Sequence, residues 1–311
     1  MATPNSEFLG AARLVVRVLP HVATEACFAL KGGTAINLFV HDMPRLSVDI
    51  DLVYLGSEPR QEALERISKA LARVAARVRA NIRGARIRDE GGAFPGVVDK
   101  FSVAHESFAI KVEVNHVFRQ SVWPAELRKV GPTVERTLGF AEAQVASYED
   151  LYGGKIAAAL DRQNPRDLFD IKLLLETGGI TDKLFRTFLV YLIGHNRTIA
   201  ELVAPARKDV REIYEKGFVG MTSAAPPFDD LLAVRETLIG AIQSRITPDV
   251  KRFLLSVKRM EPEWRLLGLT GVEHLPAVQW KLRNLAKMTA ERHAAACENL
   301  ERVLDGIAAK R

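Results

Sequence analysis

The sequence predicts an α+β protein: a mixed sheet with flanking helices in the first half, followed by a mostly helical second half. Two observations carry this reading. Runs of β-branched and apolar residues at 26–31, 47–55, 82–88, 97–103 and 108–115 are bounded by turn signals such as Gly91-Gly92 and Pro95-Gly96, and read as strands. From about Ser147 onward the pattern becomes helical, which divides the chain into domains at 1–146 and 147–311. No internal repeat or low-complexity run interrupts either half.

The elements follow in order. Residues 33–41 and 58–80 read as helices between the strands, the second carrying Leu64, Ile67, Leu71, Val74 and Val78 at spacings of three and four, a buried stripe. Ser147 with Asp150 three residues on resembles a capping box and opens a helix to about Arg162. Asn164-Pro165 starts the next, Asn as N-cap and Pro at the first helical position, with Asp167 as a first-turn acid. Further helices are expected over 183–194, 207–216, 228–243, 248–259 and 276–307.

Composition narrows the class. With 311 residues, 48% hydrophobic and 26% charged, the chain can bury one large core or two smaller ones, and disorder is excluded as its main state. Cys27 and Cys297 are the two cysteines, which indicates neither a disulfide framework nor a cysteine zinc site and fits a reducing cytoplasm. The apolar run 8–19 is interrupted by Arg13 and Arg17, is too short to span a bilayer and lacks a signal-peptide cleavage pattern, so no membrane partner is expected. Of the net charge of +6, residues 60–90 supply +5, from nine Arg/Lys against four Asp/Glu. A local basic face of this kind suits a polyanion.

The chemistry concentrates at Leu30-Lys31-Gly32-Gly33-Thr34 and Arg45-Leu46-Ser47-Val48-Asp49-Ile50-Asp51. Asp49 and Asp51 lie two apart on a strand, so their carboxylates leave one face roughly 6–7 Å apart along the backbone. Joined by a hard cation, Mg²⁺ or Mn²⁺, such acids bind phosphate oxygens; alone, Asp-x-Asp is more often a solvated strand edge. Glu113 alternates with Ile110, Val112 and Val114 and offers a third metal ligand, or merely the polar face of its strand. Gly32-Gly33 lets backbone approach phosphate at a helix start, or simply makes a tight turn. Thr34 and Ser47 are candidate phosphate donors, and Arg45 is either a phosphate clamp or a tie for its own loop. Together these features suggest an NTP substrate and nucleotidyl transfer.

Lys155 follows Gly153-Gly154 inside a helix, where two glycines cost about 1 kcal/mol each and so point to close approach of a strand or a ligand. It is a candidate point charge for a triphosphate, or a surface lysine. Asp170 shares a face with Arg166 one turn earlier, so it is either an internal ion pair or a carboxylate facing the site opposite Lys155. Arg66, Lys69, Arg73 and Arg77 line the face opposite the apolar stripe, with Arg79, Arg83, Arg86 and Arg88 prolonging it. That face is a solvated surface or a track for RNA phosphates, and no aromatic stacking platform accompanies it.

With these residues assembled, the chain resembles the AbiEii/AbiGii nucleotidyltransferase toxins, a branch of the DNA polymerase β-like superfamily. The resemblance rests on Lys31-Gly-Gly-Thr34, Arg45 to Asp51, Lys155 to Arg162 and Arg166-Asp-Leu-Phe-Asp170, and continues in Gly194-His-Asn-Arg197, Phe218-Val-Gly-Met221 and Trp280 to Leu285, blocks whose roles residue chemistry does not supply. It implies a nucleotidyltransferase-fold catalytic domain followed by a helical domain that contributes Lys155 and Asp170 to the cleft. It makes Asp49, Lys155 and Asp170 the essential residues, with Asp51 as second metal ligand and Glu113 as a less uniform third. It also implies a toxin of a toxin–antitoxin or phage-defence pair with a separate antitoxin, some members acting on the 3′ end of tRNA. Nucleotidylation of a protein or small molecule, and a non-catalytic NTP- or RNA-binding module, stand as alternatives.

Overall fold

A computed structural model describes residues 6–92 and 97–309, so the turn expected at Pro95-Gly96 lies outside the described residues. The chain forms two compact units. The first comprises the residues up to Leu151 together with Glu215–Ala225, and the second comprises Tyr152–Tyr214 and Pro226 onward.

The first unit opens with α1 (Ser6–Ala23), which buries Ala11, Ala12, Leu14, Val15, Val18, Leu19 and Val22. Arg13 and Arg17, four apart, remain exposed on one side, so the interrupted apolar run is an amphipathic helix. β1 (Phe28–Lys31) leads into α2 (Gly32–Ala35), which passes directly into a π-helical turn over Ile36–Val40. β2 (Ile50–Tyr54) follows, then α3 (Arg60–Asn81), β3 (Arg86–Asp89), β4 (Lys100–His105) and β5 (Phe108–Asn115). β6 (Glu126–Lys129), α4 (Pro132–Leu138) and β7 (Glu142–Val145) complete the unit; each strand is four residues long and β6 is rich in charge, which hides them from pattern reading.

The seven strands form one sheet in the order β3-β4-β5-β2-β1-β7-β6. It is mixed: β2 runs parallel to β5 and β1 parallel to β7, while β1–β2, β3–β4, β4–β5 and β6–β7 are antiparallel. α1 and α3 pack on the sheet, and α3 buries the predicted stripe Leu64, Ile67, Leu71, Val74 and Val78. A Cβ on Gly10 would stand 2.2 Å from the Phe108 ring, so glycine at this point of α1 leaves room for that ring against the helix.

The second unit is helical. α5 (Tyr148–Arg162) begins in the first unit and supplies the second from Tyr152; it is followed by α6 (Pro165–Thr177), α7 (Asp182–Gly194), α8 (Ile199–Val203) and α9 (Arg211–Gly217), whose residues from Glu215 on belong to the first unit. Then come α10 (Phe228–Gln243), α11 (Pro248–Lys258), α12 (Trp264–Leu267), α13 (Pro276–Ala286) and α14 (Ala290–Ala308). The single helix expected over 276–307 is therefore two: Thr289 accepts the Arg292 amide and caps a new helix, with neither glycine nor proline at the break. Among the described residues no helix is long and apolar enough to cross a membrane.

Two local expectations are refined by the packing. Ser147 accepts the Asp150 amide as a helix cap should, but the Asp150 carboxylate takes the Val122 and Trp123 amides at 2.8 and 2.9 Å and so ties the β5–β6 connection to the start of α5. Gly153-Gly154 serves helix packing rather than a strand or a ligand. A Cβ on Gly153 would stand 3.1 Å from the Tyr191 ring and 3.3 Å from the Phe188 amide nitrogen, both on α7.

Candidate active site

Asp49 immediately precedes β2 rather than lying within it, yet the alternation holds: Asp49 is exposed, Ile50 fully buried and Asp51 half-buried. Asp51 stands between Lys31 of β1 and Glu113 of β5 in the ladders, and cross-strand partners share a face at the roughly 4.8 Å strand spacing. Glu113 is exposed, with the Lys111 ammonium 3.9 Å away. The sheet thus brings Asp51 and Glu113 side by side on one face at its centre, with Asp49 leading into the same strand. Among the described residues no three or more Asp, Glu, His or Cys form a metal-holding group.

The approach to Asp49 is held from beneath. Thr34 is fully buried; its hydroxyl donates to the Asp49 carbonyl at 2.5 Å and lies 3.0 Å from Ser47 Oγ. Arg45, 3% exposed, donates to the Leu46 carbonyl at 2.9 Å, in keeping with a tie for its own loop. Its guanidinium and Ser47 Oγ crowd the space beside Gly33, where a Cβ would meet them at 2.9 and 3.1 Å. Gly32 has φ +72, and a Cβ there would stand 2.3 Å from Asp51 Oδ2. The diglycine therefore lets the turn between β1 and α2 lie directly against the Asp51 carboxylate. The Phe218-to-Met221 block acquires a role here: the Leu46 amide donates to the Met221 carbonyl at 2.7 Å, and Thr222 donates to the Pro44 carbonyl at 3.1 Å. A segment distant in sequence fastens the loop that presents Asp49.

In the second unit a different arrangement surrounds Lys155. Its side chain is 7% exposed, and its ammonium lies 2.9 Å from Asp167 Oδ1 and 2.9 Å from Asp170 Oδ2. Asp167 also takes two hydrogen bonds from Arg162, at 3.1 and 2.8 Å. Lys155 and Arg162 are seven apart on α5, and Asp167 and Asp170 three apart on α6, so each pair shares a helix face. The intervening turn is fixed by Gln163, a left-handed residue at φ 54 whose amide donates to the Ala206 carbonyl and accepts the Lys208 amide, and by the Asn164 cap. Burial pushes the Asp167 carboxyl up, but the Lys155 and Arg162 charges outweigh it and hold the group below its ordinary range. Asp170, 0% exposed, thus pairs with Lys155, and the cluster includes Asp167, whose first-turn position has a sufficient local explanation of its own.

Two further blocks meet each other. Lys281 donates to the carbonyls of His195 and Arg197 at 2.7 and 2.8 Å, joining α13 to the end of α7, while Arg197 pairs with Asp161 of α5 at 3.1 Å. Burial, with Lys258 nearby, lowers the Lys281 ammonium to about 8. The basic face of α3 is largely engaged. Arg66 pairs with Glu58 and Glu62, and Arg73 and Arg77 both bond the buried Glu25 carboxylate at 2.6 Å. The Arg73 hydrogen bond, aided by Arg77 and working against burial, keeps that carboxyl below the usual range.

A mixed sheet carrying paired acids beside a diglycine turn, joined in sequence to a helical unit, is the architecture of a nucleotidyltransferase. The family described as "Nucleotidyl transferase AbiEii toxin, Type IV TA system" matches residues 13–284, and the chain belongs to it. The fold is similar to that of MenT4, a nucleotidyltransferase toxin from Mycobacterium tuberculosis H37Rv, with a TM-score of 0.58 and 16% identity over 89% of this chain and 93% of that one. At this identity the likeness speaks for the α+β fold alone. Comparison with curated proteins gives no match.

Proposed function

We propose that this nucleotidyltransferase transfers a nucleoside monophosphate from an NTP to an RNA acceptor, the 3′ hydroxyl of a tRNA before others. In the reaction the acceptor oxygen bonds to the α-phosphorus, the bond to the β-phosphate bridging oxygen breaks, pyrophosphate leaves and the hydroxyl proton is lost. The observation that carries this reading is the placement of Asp51 beside Glu113, with Asp49 exposed at the strand entrance, on an open face beside a glycine turn.

Carboxylate chemistry suits a hard cation, although no three of the acids are gathered into one group among the described residues. Asp49, Asp51 and Glu113 would hold Mg²⁺, or Mn²⁺ in its place, because such ions need only one or two carboxylates when waters and substrate phosphates supply the remaining oxygens. When bound, the ion offsets triphosphate charge and favours in-line displacement. Gly32 and Gly33 give the phosphates access to backbone. Thr34, Ser47 and Arg45 act mainly as positioning residues for Asp49, since their polar atoms point into the loop that carries it. Lys155 offsets phosphate charge, and Asp170 positions Lys155; its full burial weighs against a base that meets the acceptor directly. The family implies a separate antitoxin, a role in phage defence is proposed with it, and two half-buried free cysteines suit a cytoplasmic setting.

Incubating the chain with each labelled NTP and total RNA, then sequencing RNA 3′ ends, tests the proposal. It expects NTP-dependent lengthening that disappears in Asp49→Ala; full lengthening by that variant overturns it. A protein or small-molecule acceptor is the second reading, favoured by the engagement of Arg66, Arg73 and Arg77 with Glu58, Glu62 and Glu25.

A further inference from the structure

We infer that the open face of the β3–β4–β5 sheet, rather than the outer face of α3, is the surface that takes the single-stranded end of an RNA acceptor. The inference rests on the acceptor reading above and adds the path by which the acceptor arrives.

Register defines this face. Arg86 stands opposite Ala104 and Arg88 opposite Ser102; Ser102 in turn faces Lys111, Ala104 faces Ala109, and Lys100 faces Glu113. Directly opposed residues share a face, so Arg86, Arg88, Lys100 and Lys111 all project from one side of the sheet. The opposite side carries Phe101, Val103, Ile110 and Val112, all buried, on the strands that α1 and α3 cover. On the open side the ladders place four cations against one acid, Glu113, already assigned to the ion. Arg86, Arg88 and Ala109 are exposed, and among the described residues neither Arg86 nor Arg88 makes a salt bridge. The contrast with α3, whose Arg66, Arg73 and Arg77 have carboxylate partners, decides between the two surfaces.

The direction of the face is as informative as its charge. Asp49 precedes Ile50, the register partner of Val112, and so lies level with Lys111. A line from Arg88 through Ser102 and Lys111 therefore reaches the level of Asp49 in three strand steps, about 14 Å. Ser102, Ala104 and Ala109 keep the floor low enough for an extended backbone to lie flat, while the cations meet successive phosphates. A strand laid this way brings its terminal hydroxyl to the acids and its upstream phosphates to Lys111, Arg88 and Arg86. Lack of a stacking platform suits a site read by backbone charge rather than by base.

The test titrates the full chain in Mg²⁺ buffer with a labelled short single-stranded RNA over a series of salt concentrations. It compares wild type with the double variant R86Q/R88Q and with R79Q/R83Q, which removes the same charge from the end of α3 and the turn that follows it. Losing two phosphate contacts should lower the slope of log affinity against log salt by about 1.4 and weaken binding about tenfold, with the control near wild type. A wild-type slope in R86Q/R88Q, or an equal loss in the control, overturns the inference. Should the double variant misfold, Arg88→Gln alone must lower the slope by about 0.7.

Lengthening assays on the same proteins separate the two levels of the argument. If wild type lengthens RNA, Asp49→Ala does not, and R86Q/R88Q equals wild type at subsaturating RNA, the path is wrong and the proposed function stands. If wild type labels a protein and no RNA, the acceptor reading itself fails. Labelling of an acidic protein that depends on Arg86 and Arg88 would assign this face to that protein and overturn the RNA path.

Discussion

The acids of the sheet and the acids of α6 are the same chemical group placed under opposite conditions. Asp49 and Glu113 are exposed and Asp51 half-buried, with Asp51 and Glu113 brought side by side by the ladder. Asp167 and Asp170 are buried with Lys155, and the exposed Arg162 reaches in to Asp167, two acids against two cations. Adjacent exposed carboxylates add little to stability and leave oxygens for a ligand. A closed buried set has paid its desolvation and holds one geometry; breaking it exposes an uncompensated charge. The difference teaches that substitutions in the two places should fail in different ways, the first in activity with the fold intact and the second in folding as well as activity.

The largest effect should fall on activity. Asp49→Ala or Asp51→Ala should cut nucleotidyl transfer by two to three orders of magnitude while stability stays within about 0.5 kcal/mol of wild type. A matched set of rate and denaturant measurements would show it, and a strongly destabilised Asp49→Ala would break the comparison. Asp170→Asn should cost about 3–5 kcal/mol, because the buried Lys155 ammonium loses a carboxylate partner. Urea unfolding reads this directly, and a neutral outcome would place Asp170 with the open acids instead.

A smaller effect tests the turn between the strands. Gly32→Ala puts a Cβ at left-handed φ, a cost of about 1–2 kcal/mol, and presses on the Asp51 carboxylate. A displacement there should lower activity on the order of 10²-fold, more than the stability loss alone explains. Equal activity at saturating NTP would detach Asp51 from the chemistry.

The smallest effect is in acid. Asp167 has a folded value below its unfolded one, so its contribution is fully present above about pH 4 and is lost as pH falls through the folded value. Amide exchange on α6 followed against pH should show the loss. Lys155→Met should move it to higher pH, since burial then faces Arg162 alone.

Much of the site was legible because its signals are local. Asp49, Ile50 and Asp51 alternate with a strand's period, the diglycine marks a turn, and Asn164-Pro165 announces the helix that carries Asp170. What escaped reading depends on contacts far apart in sequence. Glu25 engages Arg73 and Arg77 across about fifty residues, so part of the basic face of α3 is already taken up by an ion pair. Met221 returns to hold Leu46, and Lys281 holds the carbonyls of His195 and Arg197. Asp167 was masked by a sufficient local explanation. β6 escaped because a short, charged strand lacks an apolar period, β7 because two alternating apolar residues are too few to mark a strand, and the break before Thr289 because a side-chain cap needs no glycine or proline.

The most direct measurement is pyrophosphate release by the full chain supplied with NTP and RNA, with Mg²⁺ or with chelator, in wild type and in Asp49→Ala. Release that requires the ion and vanishes in the variant, with thermal stability unchanged, is the predicted result. Release that continues in Asp49→Ala at the wild-type rate would contradict the account, because the exposed acids would then have no part in the reaction.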